Sequence, residues 1–192
     1  MKPIAEAIER IMRKVEIMDG YERPMAPDED VAERIDEMYD RYGYIPNPES
    51  IEAVRAHLSG YGILLSGPAG VGKTFLMKCL GIRIYTSARV AEYGIRGLSD
   101  LHEATQRGPI CIDDLGIEPT VSEWGAKDDV LKTFIAYRAE RQQARTYITT
   151  NLTSDEIVAR YGDRTLSRLV GMCKLFRLTG TNRRAPEPEA AT

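Results

Sequence analysis

Apolar residues recur at helical spacing in two segments near the start of the chain. Residues 3–17 place their apolar side chains on one helical face, and residues 30–42 repeat the pattern. The stretch near 19–29 contains a glycine and two prolines, which interrupt helices. The pattern predicts an N-terminal helical extension over residues 1–42 with a linker near 19–29. An amphipathic helix packs on its own domain more often than on a partner, and both uses stay open for residues 3–17.

Short apolar runs alternate with helical segments in the rest of the chain. The runs predict strands at 62–66, 82–86, 109–112, 146–149 and 174–179. Helical spacing predicts helices at 50–58, 74–80, near 88–106, near 127–143, from a Thr153–Glu156 capping box to Tyr161, and at 163–171. Such alternation is typical of a parallel sheet that helices cover on both faces. The expected fold class is α/β, a three-layer α/β/α domain over residues 43–184 with a mainly parallel five-stranded sheet.

The composition is that of one globular domain with a substantial core. The chain has 192 residues, of which 43% are hydrophobic and 29% are charged. The tail at 185–192 is rich in proline and glutamate and is expected to be disordered. The net charge of −3 hides an acidic stretch at 19–40 and a basic cluster near the end. The basic cluster consists of Arg160, Arg164, Arg168, Lys174, Arg177, Arg183 and Arg184. It leaves a nucleic-acid partner open.

The cysteines and the hydropathy pattern argue against a zinc-binding, a disulfide-bonded or a membrane-spanning protein. Cys79, Cys111 and Cys173 lie far apart in apolar runs without C-x-x-C spacing, which predicts buried reduced thiols rather than a zinc site or disulfides. The start of the chain lacks a continuous apolar segment, and no stretch is long enough to span a bilayer. We therefore expect a cytoplasmic protein with no membrane partner.

One segment matches the phosphate-loop pattern G-x-x-x-x-G-K-[ST]. Its residues are Gly67, Pro68, Ala69, Gly70, Val71, Gly72, Lys73 and Thr74. The glycines let backbone N–H groups close around phosphate oxygens without a Cβ in the way. Lys73 would contact the β and γ phosphates, and Thr74 would begin a helix and bind Mg²⁺ through its hydroxyl. An apolar run precedes the segment and a helical run follows it, as such a loop requires.

Two acids follow the apolar run at 110–112. Asp113 and Asp114 would lie at the carboxyl end of a strand, where open α/β sheets bind ligands. Asp113 would then hold Mg²⁺ beside Thr74 through water. Asp114 would polarise the water that attacks the γ phosphate. The two motifs together predict a site for ATP and Mg²⁺.

Other phosphate-loop classes fit less well. A GTPase needs an N-K-x-D element, and the nearest approach, residues 126–129, begins with alanine and follows a loop. A small-molecule kinase needs a lid and an acceptor site, for which a chain of this length has little room. Both classes are therefore disfavoured.

The ordered set of motifs resembles the DnaC/IstB-like branch of the AAA+ ATPases, which includes bacterial helicase loaders and transposition helper ATPases. The matching segments are Gly-Pro-Ala-Gly-Val-Gly-Lys-Thr at 67–74, Ile-Asp-Asp-Leu-Gly at 112–116, Thr-Thr-Asn-Leu at 149–152 and Tyr-Gly-Asp-Arg-Thr-Leu-Ser-Arg-Leu at 161–169. The resemblance implies that Asn151 is the sensor 1 residue. It also implies that Arg168 is an arginine finger for a neighbouring subunit, with Arg164 as the other candidate, and that Arg183 is a weaker candidate for a sensor 2 contact.

The chain departs from the family pattern in three places. Its acid pair is Asp-Asp where many AAA+ proteins have Asp-Glu, so the shorter Asp114 is expected to give slow hydrolysis. The span 86–109 is short for the extra helix of initiator-type members. The N-terminal part lacks the cysteine cluster of some helicase loaders.

The motifs predict a Mg-ATP-binding protein, and the resemblance implies a AAA+ ATPase that assembles on DNA as an ATP-dependent homo-oligomer and recruits a replicative helicase or a transposase. The alternative is a nucleotide-gated adaptor that binds ATP, hydrolyses little of it and presents its N-terminal helix to a protein partner. The short side chain of Asp114 and the short span 86–109 favour the adaptor.

Overall fold

The computed structural model describes residues 24–118, 130–141 and 145–183. The helix predicted at 3–17 and the tail at 185–192 lie outside these ranges, as do Arg184 and most of the linker before residue 24. No helix of the described ranges is long and apolar enough to cross a bilayer.

Five strands form one sheet in which every pair is parallel. They are β1 (Gly62–Ser66), β2 (Arg83–Thr86), β3 (Ile110–Leu115), β4 (Thr146–Thr150) and β5 (Cys173–Arg177). The order across the sheet is β2-β3-β4-β1-β5. Because all strands run the same way, the carboxyl ends of β1, β3 and β4 meet at one edge. The predicted parallel five-stranded sheet is confirmed.

Eight helices connect and cover the strands within the described ranges. They are α1 (Asp28–Tyr42), α2 (Pro48–Leu58), α3 (Lys73–Cys79), α4 (Ser87–Glu92), α5 (Gly94–Gln106), α6 (Val130–Arg141), α7 (Ser154–Tyr161) and α8 (Asp163–Met172). The predicted capping box is confirmed, because the Thr153 side chain accepts from the backbone N–H of Glu156 while the Glu156 carboxylate accepts from that of Thr153.

The two faces of the sheet bury separate hydrophobic clusters. Ile63 and Leu65 of β1 pack with residues of α1, α2 and α3, whereas Leu64 packs on the other face with residues of α5, α6 and α8. Successive side chains of a strand point to opposite faces, so a run of three apolar residues serves both layers. The result is the expected three-layer α/β/α arrangement.

Helix α1 packs directly on this domain. Val31 and Met38 are buried in the same cluster as Ile63 and Leu65. The helix ends at Gly43, whose φ of 65° is a left-handed conformation that suits glycine. The domain boundary at residue 43 remains a prediction. Helix α1 lies before that boundary, but its buried side chains pack into the core of the domain that follows it.

Several elements differ from the predicted bounds. The strand predicted at 174–179 is β5 (Cys173–Arg177), which ends two residues earlier. The helical region near 88–106 is broken between α4 and α5, where Gly94 adopts a φ of 53°. Strand β3 extends three residues beyond the predicted end at 112, because it continues past an irregularity in its pairing with β4. Hydropathy alone did not reveal this continuation, since the added residues include Asp113 and Asp114.

Candidate functional site

The phosphate loop joins β1 to α3, and its backbone requires glycine. Gly67, Gly70 and Gly72 have φ values of 142°, 84° and 100°, all in the region that favours glycine. A Cβ on Gly67 would lie 2.3 Å from the carbonyl oxygen of Leu178, and one on Gly70 would lie 1.8 Å from Asn182 Oδ1. The cradle therefore exists only because these positions lack side chains.

Lys73 is buried at the base of the loop. Its Nζ donates to the carbonyl oxygens of Gly67 and Pro68 at 2.7 and 2.9 Å and to Asn151 Oδ1 at 2.7 Å. Asn151 follows β4, which is the neighbour of β1 in the sheet. The strand order thus brings together two residues that the sequence predicted as parts of one site. Val71, by contrast, is buried in the core beneath the loop.

The first helical turn meets the first acid of the pair. Thr74 Oγ1 donates to Asp113 at 2.9 Å from Oδ1 and 3.2 Å from Oδ2. Thr149 of β4 also donates to Asp113 Oδ1, at 2.6 Å. A hydroxyl beside a carboxylate is an all-oxygen donor set of the kind that Mg²⁺ prefers. The residues present therefore fit the implied metal.

The described residues offer Mg²⁺ no cage made only of protein side chains. The described residues contain no group of three or more His, Cys, Asp or Glu side chains that could hold a metal. Mg²⁺ usually keeps several waters and binds one or two protein ligands together with phosphate oxygens. Thr74 and Asp113 meet that smaller requirement.

Asp114 lines the cleft above the loop and has an unusual backbone. Its φ of 56° is positive although it is not glycine. Its N–H donates to Thr149 Oγ1 at 2.9 Å, and its carbonyl oxygen accepts from Ser87 Oγ at 2.6 Å. The backbone of the second acid is therefore held by hydrogen bonds with β4 on one side and with the first residue of α4 on the other.

The cleft has a volume of about 790 Å³, which is within the usual range for a small-molecule site. Its lining residues are Gly43, Ile45, Ala69, Gly70, Gly72, Lys73, Thr74, Phe75, Lys78, Asp114, Asn151, Thr181, Asn182 and Arg183. Ile45 and Phe75 are exposed apolar side chains at this cleft. It therefore offers apolar contact as well as the polar loop.

Arg183 reaches the cleft from the C-terminal segment. Its backbone N–H donates to the carbonyl oxygen of Gly70 at 3.0 Å, and its guanidinium donates to the carbonyl oxygen of Ile45 at 2.9 Å. The segment after β5 thus closes one side of the phosphate loop. The predicted sensor 2 candidate lies at the site, and its role there stays a prediction.

Arg168 is not brought to this cleft. It lies on α8, and its guanidinium is 3.6 Å from the Glu140 carboxylate of α6. It is absent from the cleft lining. Its predicted role concerns a neighbouring subunit, so its position in one chain leaves that role a prediction.

Sequence reasoning missed a buried ionic cluster behind the acid pair. Glu118 is 5% exposed, and its carboxylate accepts from the N–H of Gly116 at 2.9 Å. Arg160 and Tyr161, both at the end of α7, also donate to it. Burial, followed by the hydrogen bond and the charge of Glu118, raises the pKa of Tyr161 well above its ordinary value. The cluster holds the turn after β3 against α7, and no motif predicted it.

The thiol nearest the site is not a nucleophile. Cys111 is buried in β3, and its burial, together with the negative charge of Asp113, raises the pKa of the thiol well above its ordinary value. The other cysteines, Cys79 and Cys173, are also buried and reduced. The prediction that the three residues are core thiols agrees with their surroundings.

The sheet order, the glycine loop and the acid pair define a P-loop fold of the AAA+ type, as the resemblance implied. Among solved structures, AMPPCP-bound DnaA from Aquifex aeolicus superimposes with a TM-score of 0.50 and 16% identity. The alignment covers 73% of this chain and 50% of that chain, so this protein spans about half the length of that DnaA chain. At this identity the similarity shows a shared fold.

Two further solved structures are similar to the chain. The DnaC helicase loader has a TM-score of 0.49 and 20% identity, and the match covers 72% of this chain and 95% of that chain. DnaI has a TM-score of 0.48 and 19% identity, and the match covers 83% of this chain and 88% of that chain. No protein-family model and no curated protein matches the sequence.

Proposed function

We propose that this protein is a Mg-ATP-dependent ATPase. The observation that carries the proposal is the convergence of the loop and two strand ends, which puts Lys73 Nζ 2.7 Å from Asn151 Oδ1 and Thr74 Oγ1 2.9 Å from Asp113 Oδ1. The cleft above them has room for a nucleotide. The fold shared with a DnaA that binds the nucleotide AMPPCP supports the same assignment.

The motif residues at the cleft divide the tasks of ATP binding among them. The loop N–H groups and Lys73 bind the β and γ phosphates, and the N-terminus of α3 adds a favourable partial charge. Thr74 and Asp113 would hold Mg²⁺, with Asp113 acting through water. When bound, the metal neutralises charge on the phosphate oxygens. Arg183, whose backbone is hydrogen-bonded to Gly70 of the loop, adds a positive charge to the cleft.

Hydrolysis requires a positioned water and stabilisation of the charge that develops on the phosphate. Asp114 orients and polarises the water with its carboxylate. Asn151 accepts from Lys73 through Oδ1, which orients its amide so that the –NH₂ end donates to the water or to the γ phosphate. The shorter arm of Asp114 makes slow turnover the expected behaviour.

Arg168 supplies the reason to expect an assembly. The motif resemblance implies that Arg168 serves the nucleotide of a neighbouring copy, and its place on α8, beside Glu140 and outside its own cleft, is compatible with that role. A finger offered in trans makes hydrolysis depend on homo-oligomer formation. The ion pair with Glu140 is partly exposed and is therefore weak enough to exchange for a phosphate.

We further propose that the assembly forms on DNA and recruits a replicative helicase or a transposase. The basic cluster supports the DNA contact in part. Arg177 is exposed at the end of the edge strand β5, and Lys174 of the same strand lies over the ring of Tyr61. Arg160 contributes less to such a surface because it is paired with Glu118. The class of partner follows from the motif resemblance to helicase loaders and transposition helper ATPases.

A nucleotide-gated adaptor is the second candidate. The observation in its favour is that Asp114 is one methylene shorter than glutamate and sits in a left-handed backbone. In this case ATP binding would change the protein's partner surface and little ATP would be hydrolysed.

The deciding experiment is steady-state ATP hydrolysis over a protein concentration series, with and without single-stranded DNA. We expect turnover per chain to rise with concentration and DNA, to collapse in Arg168→Ala, and to be lost together with nucleotide binding in Lys73→Ala. Arg107→Ala is the matched control. Arg107 is also paired with an acid, but it lies near the amino end of β3, at the opposite end of the strand from the acid pair. Normal Mg-ATP binding by a folded Lys73→Ala variant would overturn the proposal, and flat turnover with intact binding would favour the adaptor.

The DNA contact has its own test. Binding of a fluorescent single strand should weaken with salt, and the double variant with Lys174→Ala and Arg177→Ala should reduce the salt slope by about one unit for each phosphate that is no longer bound. Arg107→Ala again serves as the control. No binding at low salt would rule out the DNA contact and leave the ATPase assignment standing.

A further inference from the structure

The backbone at Asp114 departs from a regular strand. On β3 the step from Ile112 to Leu115 is three residues, whereas the opposing step on β4 from Ile148 to Thr150 is two. One extra residue is therefore inserted in β3, which is a β-bulge. Asp114 is the only non-glycine residue of the described ranges with a positive φ. Aspartate tolerates that conformation less well than glycine does, so the surroundings must hold it.

Two buried hydroxyls hold this backbone, one from each side. Ser87 Oγ donates to the Asp114 carbonyl oxygen at 2.6 Å, and Thr149 Oγ1 accepts from the Asp114 N–H at 2.9 Å. Both residues are 0% exposed. Ser87 begins α4 directly after β2, and Thr149 belongs to β4. The clamp thus combines a residue of β4 with the first residue of the helix that follows β2.

Thr149 also connects the two acids. A hydroxyl has one proton and two acceptor lone pairs. Thr149 uses its proton for Asp113 Oδ1 at 2.6 Å and a lone pair for the Asp114 N–H. Its hydroxyl therefore fixes two groups at the same time, the carboxylate of Asp113 and the backbone of Asp114.

The bulge decides where the second carboxylate lies. In a regular strand, Asp113 and Asp114 would point to opposite faces of the sheet. In this structure Asp113 contacts Thr74, which lines the cleft, and Asp114 is also among the residues that line that cleft. We propose that Ser87 and Thr149 are positioning residues, which hold Asp114 in its left-handed conformation so that its short carboxylate reaches the attacking water. The inference rests on the proposed ATPase function.

A purely structural role makes a different prediction. Buried hydroxyls that only satisfy backbone groups affect the free energy of unfolding and leave the kinetics of the folded fraction unchanged. Positioning residues lower kcat while KM for Mg-ATP stays nearly constant, because they act on the step that uses Asp114 and not on phosphate binding.

The test compares Ser87→Ala with Thr105→Val. Thr105 is also buried, and its hydroxyl also donates to a carbonyl oxygen, at 2.7 Å, but it lies at the end of α5 and does not line the cleft. We expect Ser87→Ala to lower kcat about tenfold or more with KM within about twofold. Thr105→Val should leave both constants within about twofold. Equal kcat values for Ser87→Ala and the parent would overturn the inference, as would an equal loss in the control.

A second pair of variants covers the case in which Ser87→Ala does not fold. Thr149→Val removes the hydroxyl that contacts both acids, and it should lower kcat and raise the Mg²⁺ concentration needed for half-maximal activity. Thr149→Ser keeps the hydroxyl and should restore kcat to within about threefold of the parent. Similar activities in Thr149→Val and Thr149→Ser would contradict the clamp.

A readout without activity separates this inference from the proposed function. Crystal structures of Ser87→Ala and Thr149→Val should show Asp114 leaving the left-handed region and its carboxylate shifting away from the cleft. An unchanged Asp114 in both variants would overturn the clamp even if the parent hydrolyses ATP. If the parent hydrolyses none, the ATPase proposal fails, and these structures still decide whether the clamp exists.

Discussion

Lys73 and Asn151 lie 78 positions apart in the sequence, and a hydrogen bond of 2.7 Å joins Nζ of the first to Oδ1 of the second. The contact links the phosphate loop after β1 to the end of β4, its neighbour in the sheet. A change at a bound phosphate that moves Lys73 would therefore also move Asn151 at the end of β4. The bond makes Asn151 part of the loop's environment as well as a candidate for water positioning.

Replacement of Asn151 should separate these two roles. We expect Asn151→Ala to lower kcat about a hundredfold, because a donor to the reacting group is lost, while the Kd for Mg-ATP changes less than about fivefold. The measurements are steady-state hydrolysis and a binding titration with Mg-ATP. Lys73→Ala is the contrasting variant, in which binding itself should be lost. Undiminished kcat in Asn151→Ala would remove the residue from the proposed mechanism.

The glycine at position 70 should be irreplaceable for two independent reasons. A methyl group there would lie 1.8 Å from Asn182 Oδ1, and the φ of 84° is strained for any residue with a Cβ. We expect Gly70→Ala to lose Mg-ATP binding and about 2 kcal/mol of unfolding free energy, measured by titration and urea denaturation. The double variant with Asn182→Ala should recover only part of that loss, because the backbone strain remains.

The chain contains a matched control for this substitution. Gly171 lies in α8, and a Cβ added there meets nothing within 4 Å. Gly171→Ala should therefore leave binding unchanged and raise the unfolding free energy by up to about 1 kcal/mol. Equal stability of Gly70→Ala and the parent would show that the loop tolerates a side chain and would argue against the cradle.

The phosphate loop and the sheet could be predicted because their signals are local. The apolar run Ile63–Leu65 serves both faces of the sheet, and the glycines of the loop follow it directly. Asp113 and Asn151 could be placed together because parallel strands end at a common edge. These inferences need only the sequence of each segment and a general rule for parallel sheets.

The remaining features depend on contacts between distant segments. The bulge at Asp114 requires hydroxyls from Ser87 and Thr149, and the space above Gly70 is filled by Asn182. Neither partner is marked by a motif that would connect it to the loop or to β3. Glu118 was missed for the same reason, because an acid after a turn is normally solvated and its burial depends on α7.

A buried histidine should make stability depend on pH. His57 hydrogen-bonds the hydroxyl of Tyr147 at 2.8 Å, and burial, with the positive charges of Arg145 and Arg34, lowers its pKa from 6.5 to about 4. Between pH 6.5 and about 4, the His57 imidazole is protonated in the unfolded chain and neutral in the folded chain. The stability from His57 is therefore present above pH 6.5 and is lost as the pH falls toward 4.

The loss from this group should amount to about 2 kcal/mol, allowing for partial solvent screening. His57→Gln keeps a hydrogen-bonding side chain and removes the titration. The difference in unfolding free energy between the parent and His57→Gln, measured by urea denaturation at several pH values, should therefore shift in favour of the variant as the pH falls. A difference that stays constant over this range would show that His57 is protonated equally in both states.

The ionic cluster behind the acid pair should be costly to break, because its carboxylate is out of solvent. The Glu118 carboxylate accepts from Gly116, Arg160 and Tyr161, and removing it leaves the Tyr161 hydroxyl without its acceptor and Arg160 with only the backbone carbonyl oxygen of residue 118. We expect Glu118→Ala to lose about 3 kcal/mol of unfolding free energy and Glu118→Gln to lose less, since the amide oxygen still accepts from the Gly116 N–H.

An exposed ion pair provides the comparison for Glu118. Glu103 pairs with Arg107 on the surface, where both side chains are more than half exposed, so Glu103→Ala should cost less than about 0.5 kcal/mol. Urea denaturation of the three variants measures the contrast. Because Glu118 fixes the turn after Asp114, its loss should also lower kcat, whereas Glu103→Ala should not. Equal stabilities of Glu118→Ala and Glu103→Ala would mean that the cluster is solvated and does not brace the turn.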